Sequence, residues 1–134
     1  MYSHRVPIRV RYGDTDKMGY VYYGNYPYFY EIARAESIRA LGISYKEIED
    51  SGIIMPVTRL QIKYIQPAFY DQLLEVLVCI PELPARGILF TYTILNEKNE
   101  KINEGETALV FMRKADNKLV RAPQMLLNKL IPYF

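Results

Sequence analysis

Between Asn25 and Gly42 this chain repeats apolar residues at helical spacing, and after Met55 the period changes to that of strands. In "NYPYFYEIARAESIRALG", Tyr26, Phe29, Tyr30, Ala33, Ser37 and Leu41 share one helical face, and Tyr28, Ile32 and Ala35 widen it. Asn25 is a favourable N-cap type, Pro27 fits a first turn, and Gly42 suits the residue just past a helix end. Four strand-like segments follow: "MPVTRLQIKYIQ", "QLLEVLVCI", "ILFTYTILN" and "INEGETALVFMR". The short connections "PAFYD", "PELPARG" and "EKNEK" predict that consecutive strands pair antiparallel. One long amphipathic helix and a run of strands have one economical solution, an α+β fold with a single sheet wrapped around the helix.

The flanking segments fit that plan. In residues 5–12, "RVPIRVRY" places Val6, Ile8, Val10 and Tyr12 on one side of a strand, with Pro7 marking an edge or a start. Ser44 caps and Gly52 stops a short second helix, and a terminal helix follows Pro123. At 134 residues, with no linker or repeat, the chain reads as a single domain over 1–134. The segment 72–80 is apolar at both parities, through Leu73, Leu74, Val76, Leu77, Val78 and Ile80. The helix covers one face of such a strand, so a second subunit is expected on the other.

Composition narrows the chemistry. Lys and Arg number 17 against 15 acids, scattered without a block, which suits a ligand carrying a few phosphates better than a nucleic-acid backbone. The single histidine, His4, and the single cysteine, Cys79, argue against a zinc site and a Ser-His-Asp triad. Cys79 reads as a buried small hydrophobe. No apolar run approaches bilayer length and the N-terminus carries no signal-peptide pattern, so no membrane insertion and a cytoplasmic location are expected.

One stretch exceeds what a loop needs. "RYGDTDKMGYVYYGNYPYFYEIARAESIRA" sets Asp14 and Asp16 in a turn, follows them with tyrosines at 20, 22, 23, 26, 28 and 30, and runs into the helix. An Asp in such a turn ordinarily serves the turn itself. The tyrosines lack the interleaved basic cluster of a nucleic-acid platform and read as core and pocket lining.

The run "DTDKMGYVYYGNYPYFYE" resembles the hotdog-fold acyl-CoA thioesterases, particularly the group similar to 4-hydroxybenzoyl-CoA thioesterase, through Asp16, Gly19, Val21, Asn25 and Tyr26. "IKYIQPAFYDQL" is similar to that family's second strand and the turn after it. The resemblance implies a hotdog fold and hydrolysis of an acyl-CoA to a free acid and coenzyme A, without metal or bound cofactor. It further implies Asp16 as the catalytic carboxylate, the backbone N–H of Tyr23 as oxyanion donor, and a homodimer or homotetramer. Many relatives carry histidine where this chain has Tyr23, and a phenol with a pKa near ~10 is a poor base at neutral pH. The 4-hydroxybenzoyl branch also has tyrosine there. Asp14 is read as a support for the turn, and Glu31 and Glu36 as solvated or paired helix charges, Glu31 with Arg34. Lys63 and Arg86, then Arg59, are the candidates for coenzyme A phosphates. Two alternatives accompany this reading: a non-catalytic acyl-thioester binding protein, and a hotdog dehydratase or isomerase.

Overall fold

The computed structural model describes residues 1–134. In chain order the elements are β1 (Tyr2–Arg9), α1 (Tyr26–Ala40), α2 (Tyr45–Asp50), β2 (Ile53–Ile54), β3 (Val57–Tyr64), β4 (Leu73–Ile80), β5 (Gly87–Leu95), β6 (Lys101–Arg113), β7 (Lys118–Val120) and α3 (Gln124–Leu130). The main sheet runs β1-β4-β5-β6-β3 with antiparallel pairing throughout, and β2 and β7 pair with the far end of β6. The sheet wraps around α1, as the pattern of one long helix and many strands predicts. Only the two short strands β2 and β7 escape that pattern.

Alternation along the strands supplies the inner face. Leu74, Val76, Val78 and Ile80 of β4 and Ile88, Phe90, Tyr92 and Ile94 of β5 are buried against the helix. From α1 come Tyr26, Phe29, Tyr30, Ala33, Ser37 and Ile38, all buried, so the expected stripe is the core stripe. Each large side chain removed from water there contributes about 1.5–3 kcal/mol. Gly42 and Gly52 end the two helices at φ +96 and +95, a backbone region that suits glycine, and the Ser44 hydroxyl caps α2 by accepting from Glu47 N–H at 3.1 Å.

Several expectations fail, each for a local reason. Tyr12 is 80% exposed because β1 ends at Arg9 and the chain turns before it. Tyr28 is 58% exposed, at the rim of α1 beside edge strand β1. Arg34 does not pair with Glu31; it turns inward and donates to the Tyr92 hydroxyl at 3.0 Å. Glu36 does pair, with Arg39 at 3.4 Å. Cys79 is half-buried on the outer face of β4, not in the core. That face is less bare than its sequence suggests: the Arg5–Glu75 ion pair crosses it from β1, and Leu77 and Cys79 sit opposite Thr93 and Thr91 of β5. Pro7 lies where expected, on edge strand β1.

Candidate active site

The loop between β1 and α1 is held by its own backbone. Asp14 Oδ2 accepts from Arg11 N–H at 2.8 Å, and the Asp14 carbonyl accepts from Tyr22 N–H at 2.9 Å and from the Asn25 side-chain amide at 2.8 Å. Asn25 precedes α1 as expected, yet its side chain makes no cap; a 3₁₀ turn over Tyr23–Asn25 already leads into the helix, and the amide ties the turn to Asp14 instead. Asp16 Oδ1 accepts from Met18 N–H at 2.9 Å and Tyr20 N–H at 3.3 Å, while Gly19 supplies the positive φ of +83 that lets the chain reverse. Asp16 Oδ2 takes no hydrogen bond within the chain. Asp16 therefore is an Asx-turn residue and still presents a carboxylate oxygen.

A cavity of about 330 Å³ opens beside it, lined by Asp16, Met18, Tyr20, Val21, Tyr23, Tyr26, Tyr64 and the loop after β3. Val21 N–H donates to Ala68 O at 2.8 Å, which fastens the Asp16 loop to that second loop. Tyr64 reaches across from β3 to donate its hydroxyl to Tyr23 O at 3.0 Å, with its ring edge-on to Tyr26 at 5.6 Å. The N–H groups of Tyr23 and Gly24 donate to no group of the protein, as the first N–H groups of a helical run must unless something caps them. Unsatisfied donors with the helix dipole behind them favour a developing negative charge.

Two phenols of the cavity wall are held in their neutral form. Burial pushes the Tyr26 phenol up to about 12, opposed by its backbone hydrogen bond to Ala68, and burial raises Tyr64 as well. Asp16 thus stands as the one carboxylate in an aromatic surround.

The basic candidates lie elsewhere in the chain. Lys63 lines an outer-face groove with Thr91, Thr93, Glu104 and Glu106. Arg59 is ion-paired to Glu106 and, with Arg86, lines a separate cavity around Glu82 and Pro84. One chain therefore brings Asp16 and Tyr23 together and does not bring Lys63, Arg59 or Arg86 to them.

Residues 10–130 match the family model described as the thioesterase-like superfamily. The chain belongs to that superfamily. Among curated members it is 35% identical over 106 residues to the acyl-CoA thioester hydrolase YbgC of Escherichia coli O6:H1, covering 79% of each chain. It is 33% identical over 100 residues to the putative acyl-CoA thioesterase YneP of Bacillus subtilis, covering 75% of this chain and 72% of the relative. Among solved structures this thioesterase-like chain superposes on a DHNA-CoA thioesterase from Staphylococcus aureus with TM-score 0.86 and 35% identity, over 100% of its own length and 85% of the other. A variant 4-hydroxybenzoyl-CoA thioesterase bound to 4-hydroxybenzoyl-CoA also superposes with TM-score 0.86 over 96% of this chain and 99% of the other; at 17% identity it speaks to the fold alone, and that fold is the hotdog.

Sequence reasoning missed a polar cluster inside the core of this chain. Tyr30 donates to Asn103 Oδ1 at 2.7 Å, Tyr92 and Thr107 share a 2.6 Å hydrogen bond, and Arg34 joins Tyr92. Its signal was present: Arg34 falls one turn after Tyr30 on the buried stripe, and Asn103, Gly105 and Thr107 occupy the inward parity of β6.

Proposed function

We propose that this chain hydrolyses an acyl-CoA thioester to a free carboxylic acid and coenzyme A, with Asp16 as the catalytic carboxylate. The observation that carries the assignment is the pairing of a free Asp16 oxygen with the unpartnered Tyr23 N–H on one aromatic cavity. Asp16 either attacks the carbonyl carbon directly, forming an anhydride that water opens, or removes a proton from the attacking water. Along both routes the carbonyl oxygen becomes an oxyanion at Tyr23 N–H. The C–S bond then breaks, and the thiolate leaves to take up a proton. Acid, water and backbone suffice for this, so no metal or bound cofactor is required.

Residues 1–134 act as one hotdog domain, assembled at least as a homodimer. Edge strand β1 is protected by Pro7 and its arginines, whereas edge strand β3, equally long, has no proline within it and exposes Val57, Leu60 and Tyr64. Pairing two β3 edges antiparallel about a two-fold axis extends the sheet and carries one subunit's Arg59, near the start of β3, toward the Tyr64 end of the other's β3, which lines the Asp16 cavity. Coenzyme A phosphates would then meet basic side chains that a single chain keeps apart from its carboxylate. No helix is long and apolar enough to cross a membrane. The cytoplasm, where acyl-CoA is plentiful and a free Cys79 stays reduced, is the compartment we assign.

Thiol release from a panel of acyl-CoAs tests the reading. Wild type should release thiol and Asp16→Asn should lose about 10² to 10⁴ in rate; free thiol from none of the panel, or an enoyl product, overturns it.

A further inference from the structure

We propose that Tyr30, stacked on Tyr92, forms the floor of the acyl pocket and restricts the enzyme to compact acyl groups, a short chain or a single ring. The inference rests on the thioesterase reading and adds to it the size of the acyl group.

Tyr26, Tyr30 and Arg34 follow one another at four-residue spacing on the sheet-facing side of α1, each about 6 Å further along the axis. Tyr26 lines the Asp16 cavity; Tyr30, the next in the row, is fully buried. Its ring lies flat on Tyr92 with centroids 4.1 Å apart and planes 3° apart, and its hydroxyl is tied to Asn103 at 2.7 Å. Gly105 makes room for this: a Cβ there would stand 2.7 Å from the Tyr30 hydroxyl. The gap between helix and sheet, into which an acyl chain continuing along α1 past Tyr26 would run, is therefore filled by the Tyr30–Tyr92 stack.

Beyond the stack the interior turns polar. Arg34 is 9% exposed, carries its charge among hydroxyls and the Phe90 ring, and leaves its Nε without a partner, as are Tyr45 Oη and Asn103 Nδ2. A methylene chain pushed past Tyr30 would strip hydrogen bonds from dry groups and return nothing to them. A cavity of about 330 Å³ with aromatic walls remains for the acyl group.

Two ligand series read the floor independently. In the first, kcat/KM is measured for acyl-CoAs of increasing length; in the second, the affinity of the matching non-hydrolysable S-alkyl-CoA thioethers is measured by calorimetry. In wild type both should climb by about fourfold per methylene for the shortest chains, level off by medium length, and leave palmitoyl-CoA a poor ligand. Tyr30→Ala or Tyr30→Leu should raise the palmitoyl-to-butyryl ratio by at least about tenfold, and Tyr30→Phe, which keeps the ring, should leave the ratio where it was. A wild-type profile still rising at palmitoyl overturns the proposal whether or not the variants fold, and so does an unchanged ratio in a folded Tyr30→Ala protein. Absence of thiol release at every length would sink the hydrolase reading instead, while the thioether affinities would still test the floor.

Discussion

Asp14 and Asp16 are the same residue type two positions apart, and the loop uses them differently. Asp14 spends its side chain on Arg11 N–H and its carbonyl on the approach to α1, whereas Asp16, on the wall of the aromatic cavity, leaves Oδ2 without a partner in the chain. Asparagine retains an acceptor oxygen at either position, so the turn should survive both substitutions. Steady-state rates should separate them: Asp16→Asn falls by about 10² to 10⁴, Asp14→Asn much less, and equal losses would remove Asp16 from its proposed role. Exposed cations act differently from an acid on the reaction centre. Lys63→Ala or Arg86→Ala should raise KM with kcat little changed, and added salt should weaken the wild-type affinity in the same way. A KM indifferent to both substitutions and to salt would take these residues out of coenzyme A binding.

Strand β6 is the element on which the interior depends most. Its inward positions are Asn103, Gly105, Thr107, Leu109 and Phe111, an unusually polar and small set for the middle of a sheet. The reason is α1, whose Tyr30 and Arg34 need hydroxyl and amide partners in the dry gap, and whose Tyr30 ring needs Gly105 to come so close. A Cβ at Gly105 would also stand 2.6 Å from the backbone oxygen of Gln61 on β3, which cannot swing aside as a side chain end can. Gly105→Ala should therefore cost about 1–3 kcal/mol by overpacking, despite the better strand propensity of alanine. Denaturant unfolding beside wild type checks this, and an unchanged midpoint would show that β3 and α1 yield more easily than their packing implies.

Over the whole molecule, buried phenols set an alkaline limit. Burial, with a contribution from the nearby Tyr133, pushes Tyr2 up to about 12, and burial does the same to Tyr26. A pKa raised in the folded state above its unfolded value near ~10 gives stability that is complete below pH ~10 and is lost as pH rises through about 12. Far-UV circular dichroism and phenolate absorbance in one titration should show the fold intact to about pH 10 and a late group of phenols ionising as it unfolds; complete phenolate formation with the fold intact would contradict it. Assembly is the second property at this scale. Light scattering beside an activity dilution series should find a dimer or larger at micromolar concentration and activity falling as it separates. A charge placed at Leu60 on the exposed β3 edge should promote that separation, and a fully active monomer would refute the shared site.

Sequence alone determined the order of the long elements, because helical and strand periods are local properties of who is apolar and how far apart; the two-residue β2 and three-residue β7 are too short to show a period. The helix stops at Gly42 and Gly52, the Ser44 cap and the edge position marked by Pro7 were legible for the same reason: each follows from the conformational freedom or hydrogen-bonding capacity of one residue. The Asp16 turn became a candidate for chemistry only through its resemblance to a family, since spacing cannot distinguish an Asx-turn oxygen that is spent from one that is free. Tertiary structure decided that difference, and it decided the inward turn of Arg34, the exposure of Tyr12 and Tyr28, and the half-buried place of Cys79. These depend on which strand comes to lie over which turn of α1. Residues as distant in sequence as Tyr30 and Asn103 become partners only when the sheet closes around the helix, and no periodicity within either segment encodes the other.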